Sequence, residues 1–287
     1  MSDRMMRIIT RDGTMRGVAA ETGELVEECR RRQGTDPTAT VALGRLATGA
    51  ALMGGLLKGD QRLALIVEGN GPMGKINAET DARGAVRASV KNPISEVPPA
   101  AGGFDVPGAV GRAGFLHVIK DLGMKEPYRS MVQLQSSEIA EDLAYYLTTS
   151  EQVPSSVALG VYLEQGGRVG CAGGFMVQAM PPGNEADMTA LEDRLLKMPP
   201  PTELLRQGLG APDILQEIFG NTPFDIVSDT PVHFACRCSR RQIANVLISL
   251  GREEVAQLIE DGGAQVTCEF CNEIYAFSRE ELESFSA

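Results

Sequence analysis

Phe234-Ala-Cys236-Arg-Cys238-Ser239 and, further on, Val266-Thr-Cys268-Glu-Phe-Cys271-Asn-Glu-Ile-Tyr-Ala-Phe277 place four cysteines in two close pairs near the end of a 287-residue chain. Twenty-nine residues separate Cys238 from Cys268. Four soft sulfur donors in two pairs suit one tetrahedral zinc ion. A tight turn in Cys268-x-x-Cys271 can aim both sulfurs at one point. An extended Cys236-x-Cys238 puts both side chains on one face, because strand side chains alternate with period two. Cys236, Cys238, Cys268 and Cys271 are therefore the expected metal ligands, one Zn2+ per chain.

The residues between the pairs read as foldable. Ser239 and Gln242 form a capping-box pattern, repeated by Ser278 and Glu281. Ile243, Val246, Leu247 and Leu250 make a helical stripe broken by Gly251. Val255, Leu258 and Ile259 make a second, stopped by Gly262-Gly263. Residues 232–287 thus form a small module with few large apolar side chains, and domains of this size are marginal without a metal or disulfides. Each cysteine pair could also close a disulfide and give up the metal, because thiolates react readily with oxidants. Chemistry alone does not separate a structural zinc site from such a redox sensor.

Upstream of the module, residues 181–231 carry three basic and nine acidic residues and are broken by Pro199-Pro200-Pro201 and Pro212. Met188, Leu191 and Leu195 share one helical face, and Ile214, Leu215, Ile218 and Phe219 another. Each segment is too short to persist alone, so these helices need a surface to dock on. This reads as an acidic helical linker with conditional structure, beginning at Met180-Pro181-Pro182-Gly183.

Residues 1–180 read as an α+β domain with strands grouped in hairpins. A hairpin is expected over 6–20, a helix from an N-cap at Thr22 to Arg32, and a buried Ala- and Gly-rich helix over 37–57. Strands follow at 63–67, 75–79, 85–90, 115–120 and 129–134, then a helix over 137–147 and strands at 157–163 and 173–179. Gly69-Asn-Gly-Pro-Met-Gly-Lys75 matches a phosphate-loop spacing, but Ile76 stands where magnesium binding wants Ser or Thr, so a hairpin turn is the better reading.

The net charge of −11 lies mostly in the last third of the chain, which argues against nucleic acid as the module's partner. No apolar run is long enough to span a membrane and the N-terminus lacks a signal-peptide core, so a cytoplasmic, membrane-free protein is expected. His117 reads as a strand residue. His233, beside the first pair, is an alternative ligand that four thiolates make superfluous. Neither has a nucleophilic partner, so no catalytic residues are assigned and no enzyme is expected. Cys29 and Cys171 read as incidental, and Arg30-Arg31-Arg32 as a solvated helix end.

With these features in place, the chain resembles the 33 kDa chaperonin family, also called heat shock protein 33, whose members are redox-regulated holdases. The likeness lies in the two cysteine segments quoted above, in Gly69 to Lys75, in Ser150-Glu-Gln-Val-Pro-Ser155 and in Gly173-Gly-Phe-Met-Val-Gln-Ala179. The resemblance implies a zinc-bound, inactive reduced form. It implies oxidation to two disulfides, Cys236 with Cys238 and Cys268 with Cys271, with loss of zinc and unfolding of module and linker. A homodimer that binds unfolding client proteins without ATP would follow. A constitutive zinc ribbon that binds a partner or nucleic acid is the competing expectation.

Overall fold

The structure, a computed structural model, describes residues 2–99, 103–181 and 185–285. It is an α+β protein of two compact units, one running to Phe234 and the other beginning at Ala235.

The first unit opens with the expected hairpin, β1 (Arg4–Thr10) and β2 (Met15–Glu21). Two helices follow, α1 (Gly23–Gln33) and α2 (Pro37–Gly54). Thr22 does not cap α1 with its side chain; its hydroxyl meets Thr48 at 2.7 Å. The cap comes instead from Asp3, whose carboxylate accepts from the amides of Glu24 (3.1 Å) and Leu25 (2.7 Å). Burial pushes the Asp3 carboxyl up to about 6, against the opposing pull of those two amides. At α2 the cap is local: Asp36 accepts from Ala39 at 2.8 Å, with Pro37 in the first turn. Every α2 residue except Pro37 and Arg45 is buried, because its Ala and Gly positions let elements approach from both sides.

Strands β3 (Arg62–Gly69), β4 (Lys75–Asp81) and β5 (Ala85–Val90) form a meander. Gly69 to Lys75 is the tight connection of its first hairpin, as expected, with Glu68 opposite Lys75. A short α3 (Val106–Val110) leads to the hairpin β6 (Gly114–Asp121) and β7 (Tyr128–Gln133). Helix α4 (Ala140–Thr149) starts later than expected. Buried Asp142 gathers the amides of Gln135, Ser136, Ser137 and Ile139, holding Ser137 and Ile139 at positive φ and out of the helix. Strands β8 (Ser155–Leu163) and β9 (Val169–Ala179) complete the expected set.

Helices α5 (Glu185–Leu195), α6 (Pro201–Arg206) and α7 (Ala211–Phe219) follow. Pro182 and Gly183 of the expected break, and the Met188 side chain, lie outside the described residues. The acidic segment is not helical throughout: it ends in β10 (Phe224–Pro231), followed by the two-residue β11 (His233–Phe234). No residue of β10 is buried, so its sequence shows no buried period. It forms because β1 offers an unpaired edge.

Two sheets result, one in the order β10-β1-β2-β9-β8 and one in the order β11-β5-β4-β3-β6-β7. Between them lies the main core, built on α1 and α2 with Val18, Ala20 and Met176 from the first sheet and Leu65, Ala78, Ala88 and Val118 from the second. The opposite face of the five-stranded sheet is also apolar. Met6, Ile8, Met15, Ala19, Phe175 and Val177 lie there beneath Leu191, Leu204, Ile214, Leu215, Ile218 and Phe219 of α5–α7. Short amphipathic helices unstable alone are thus docked on a strand face. The Glu21 carboxylate adds a cap, accepting from Ala211 at the start of α7 at 3.0 Å.

Candidate metal centre

The second unit is built around the cysteines. Ser239 caps α8 (Arg240–Ser249), accepting from the Gln242 amide at 3.3 Å. Gly251, at φ 105°, separates it from α9 (Arg252–Glu260). Strands β12 (Gly263–Thr267) and β13 (Ile274–Ser278) then pair, with Thr267 opposite Ile274. The capping box at Ser278 and Glu281 is complete: Ser278 donates its amide to the Glu281 carboxylate at 2.9 Å, and Glu281 returns its own to the Ser278 hydroxyl at 3.3 Å. It opens α10 (Arg279–Phe285). The fully buried apolar side chains of this core are few: Leu247, Val255, Phe277 and Leu282. Of the stripe expected on α8, Val246 and Leu250 are instead exposed, at 55% and 48%.

The β12–β13 connection is the turn that carries Cys268 and Cys271. Cys268 donates its amide to the Glu273 carbonyl at 2.9 Å, and its own carbonyl accepts from Asn272 at 2.9 Å. Asn272 sits at φ 58°, a left-handed position that Asn tolerates better than most residues. Cys236 and Cys238 lie between β11 and α8 in a segment with no regular secondary structure.

All four sulfurs lie within 4.8 Å of one another. Cys236 Sγ is 3.6 Å from Cys268 Sγ, and Cys238 Sγ is 3.2 Å from Cys271 Sγ. Four sulfurs at about 2.3 Å from a central zinc would be about 3.8 Å apart, so the cluster has the size of a tetrahedral thiolate site. Its electrostatics agree. Burial raises the Cys238 thiol, opposed by a hydrogen bond from Tyr275, and burial raises Cys271, opposed by the Glu273 amide. Left to themselves these thiols keep their protons; a dication at their centre reverses that preference. The donor set therefore fits a metal ion.

The sequence did not reveal Tyr275. Its hydroxyl donates to Cys238 Sγ at 3.2 Å from β13, where Tyr275 stands opposite Val266. The one signal available was its position four residues after Cys271 in the strand leaving the turn. His233, exposed on β11, is outside the cluster. Cys29 is fully buried and its thiol is pushed up to about 12 by desolvation. Cys171 donates to the Thr202 carbonyl at 3.7 Å, and its thiol too is raised by burial. His117 is half-buried in β6. Among the described residues no helix is long and apolar enough to cross a membrane.

A large α+β unit followed in the chain by a small one that holds four clustered thiols defines a class of two-part proteins with a small four-cysteine module able to hold a metal ion. Comparison with known proteins narrows the class. The model of the family described as Hsp33 protein matches residues 3–278. The 33 kDa chaperonin of Syntrophotalea carbinolica is 60% identical over the whole of both chains. That of Geobacter sulfurreducens is 53% identical over 99% of this chain and 94% of its own. The crystal structure of the 33 kDa chaperonin (heat shock protein 33 homolog) of Thermotoga maritima superposes with a TM-score of 0.91 at 37% identity, covering 99% of this chain and 97% of that one. The chain belongs to the Hsp33 family, a family of chaperones.

Proposed function

We propose that this protein is an oxidation-activated holdase whose reduced form is held inactive by zinc at Cys236, Cys238, Cys268 and Cys271. The observation that carries the reading is the four-sulfur cluster inside a unit with so small a core. Bound there, Zn2+ supplies the charge that keeps four sulfurs ionised and ties the turn at 268–271 to the segment at 236–238. The protein's own groups do the rest. A cysteine thiolate attacks hydrogen peroxide and becomes a sulfenic acid, with one oxygen leaving as water. The sulfur of the neighbouring cysteine displaces the second oxygen as water and closes the disulfide. Each pair gives up two electrons to one peroxide. Two disulfides, Cys236 with Cys238 and Cys268 with Cys271, leave no thiolate to ligate a metal.

Domain roles follow in this reading. Residues 1–180 bind clients and dimerise, residues 181–231 are the conditional cover, and residues 232–287 are the switch. Once the module unfolds, α5–α7 lose the anchor at their carboxy-terminal side and uncover Met6, Ile8, Met15, Phe175 and Val177. Unfolding proteins in the cytoplasm are the partners, and no ATP is consumed. The test is suppression of aggregation of a thermally unfolding client. Reduced, zinc-loaded protein should fail and peroxide-treated, warmed protein should succeed; equal activity in both states excludes the switch. Peptide mapping of the active form should give the two within-pair disulfides. Cross-links Cys236–Cys268 and Cys238–Cys271, between sulfurs 3.6 and 3.2 Å apart, would refute that pairing.

Tyr275 should set how fast this happens. A donated hydrogen bond withdraws electron density from Cys238 Sγ and makes it a poorer nucleophile. Tyr275→Phe is expected to release zinc to peroxide several-fold faster and to hold it more weakly against a chelator, followed with a colorimetric zinc indicator. Unchanged rates would reduce Tyr275 to a packing residue.

A further inference from the structure

The strand β10 is held to the rest of the protein in an unusual way. None of its residues is buried; Ile226 and Val227 are 60% and 47% exposed. What holds it is backbone pairing with β1 from Arg4 opposite Pro231 to Thr10 opposite Phe224, with one irregularity between Arg7 and Ile8. Side chains add little: an edge contact of Phe224 on Phe219 and two exposed ion pairs, Arg4 with Asp229 and Arg11 with Asp225. Exposed pairs of this kind contribute at most about 1 kcal/mol each. Backbone pairing is indifferent to sequence, so any extended chain could make it. By contrast β1 itself is well anchored, with Met5, Met6 and Ile8 buried.

We propose that β1 is a client-binding edge: when β10 leaves, an extended stretch of an unfolding protein takes its place as an added antiparallel strand. The proposal rests on the holdase reading above and gives it a location and a chemistry. Both neighbours of β10 in the chain are elements that this reading releases, α7 on one side and the short β11 leading to Cys236 on the other. Exposed strand edges recruit extended chains through main-chain hydrogen bonds, with side chains setting preference. Here Arg4 and Arg11 stand at the two ends of β1, and β10 answers them with Asp229 and Asp225. The preferred client segment is therefore extended, apolar in part and acidic, a likeness of β10 itself. Pairing of this kind also explains how one protein could hold many clients that share no sequence.

The test is hydrogen exchange on the full chain in three states: reduced and zinc-loaded, oxidised, and oxidised with thermally unfolded citrate synthase, with aggregation measured on the same samples. The amides of residues 4–10 that point to β10, about alternate ones because β2 takes the rest, should lose protection on oxidation and regain it with the client, while those of 224–231 lose it and do not regain it. Persistent protection of 224–231 in the active form, recovery of both segments together, or no recovery of 4–10 would each overturn the proposal. Failure of the oxidised protein to suppress aggregation would instead overturn the holdase reading. A synthetic peptide of residues 224–231 should compete with the client, and its Asp225→Lys/Asp229→Lys version should compete less. Equal competition by the two would remove the acidic preference, and no competition by either would overturn the edge.

Discussion

Stripping the metal from the reduced protein with a chelator is expected to unfold residues 235–285, to loosen the cover formed by α5–α7, and to leave residues 1–180 folded. The second unit buries four apolar side chains fully, Leu247, Val255, Phe277 and Leu282. Its caps at Ser239 and Ser278 contribute about 1 kcal/mol each. The cation–π contact of Arg240 over Phe277, at 4.4 Å, and the Arg240–Glu281 ion pair are small additions at the surface. A structural zinc ion in a finger-sized domain is worth ~10–16 kcal/mol, as large as the whole stability of a typical domain. No single contact among the described residues of the unit approaches that. Cys268→Ser, which alters the most buried of the four clustered cysteines, should unfold the same residues without a chelator. Exchange of the amides of α8, α9 and β12 reads the outcome directly. Retained protection in the metal-free protein would mean that the small core folds alone, and the switch would lose its physical basis.

The cysteine cluster could be located from the chain because its geometry is written into the spacing: a two-residue gap makes a turn, and two pairs make a site. The two helices between them could be bounded for the same reason, since Ser239, Gly251 and Gly262 act on their own neighbours. What could not be read was set from far away. The cap of α1 is Asp3, some twenty residues upstream, and the late start of α4 is the work of Asp142 pulling the preceding loop onto its carboxylate. The strand β10 has no buried period of its own, because its place is fixed by the edge of β1. Val246 and Leu250 lie on the expected stripe of α8, but that core is too small to cover them. Tyr275 escaped notice because the direction of a hydroxyl depends on the register of β12 and β13, which no local pattern declares.

The second large effect concerns the cover. Gly17 lies in β2 on the face that carries α7, opposite Ile8 and Val177. A Cβ added there would fall 2.7 Å from Phe219 Cε2 and 3.0 Å from Leu215 Cδ2. The backbone of Gly17 is not in the left-handed region, so a larger residue is excluded by the docked helix and not by the strand itself. At Gly160 on β8 the corresponding neighbour is Thr202 Cγ2 of α6, at 2.5 Å. Two glycines thus let α6 and α7 approach closely on a floor otherwise made of larger apolar side chains. Gly17→Leu would occupy the place of Phe219 and Leu215, two of the four large side chains that α7 buries. Burial of each is worth roughly 1.5–3 kcal/mol, enough to tip a short helix that cannot persist alone. The reduced, zinc-loaded Gly17→Leu protein is expected to be cut by protease within 201–219 much faster than the parent and to suppress client aggregation without oxidant. Gly17→Ala should give a smaller change in the same direction. Rapid cleavage without client binding would mean that the face beneath α7 is not where clients are held. Unchanged cleavage would mean that the helices shift to accommodate the larger side chain. Activity without oxidant would place the control of this protein in the fit between α7 and a glycine, with the cysteines deciding only when that fit is released.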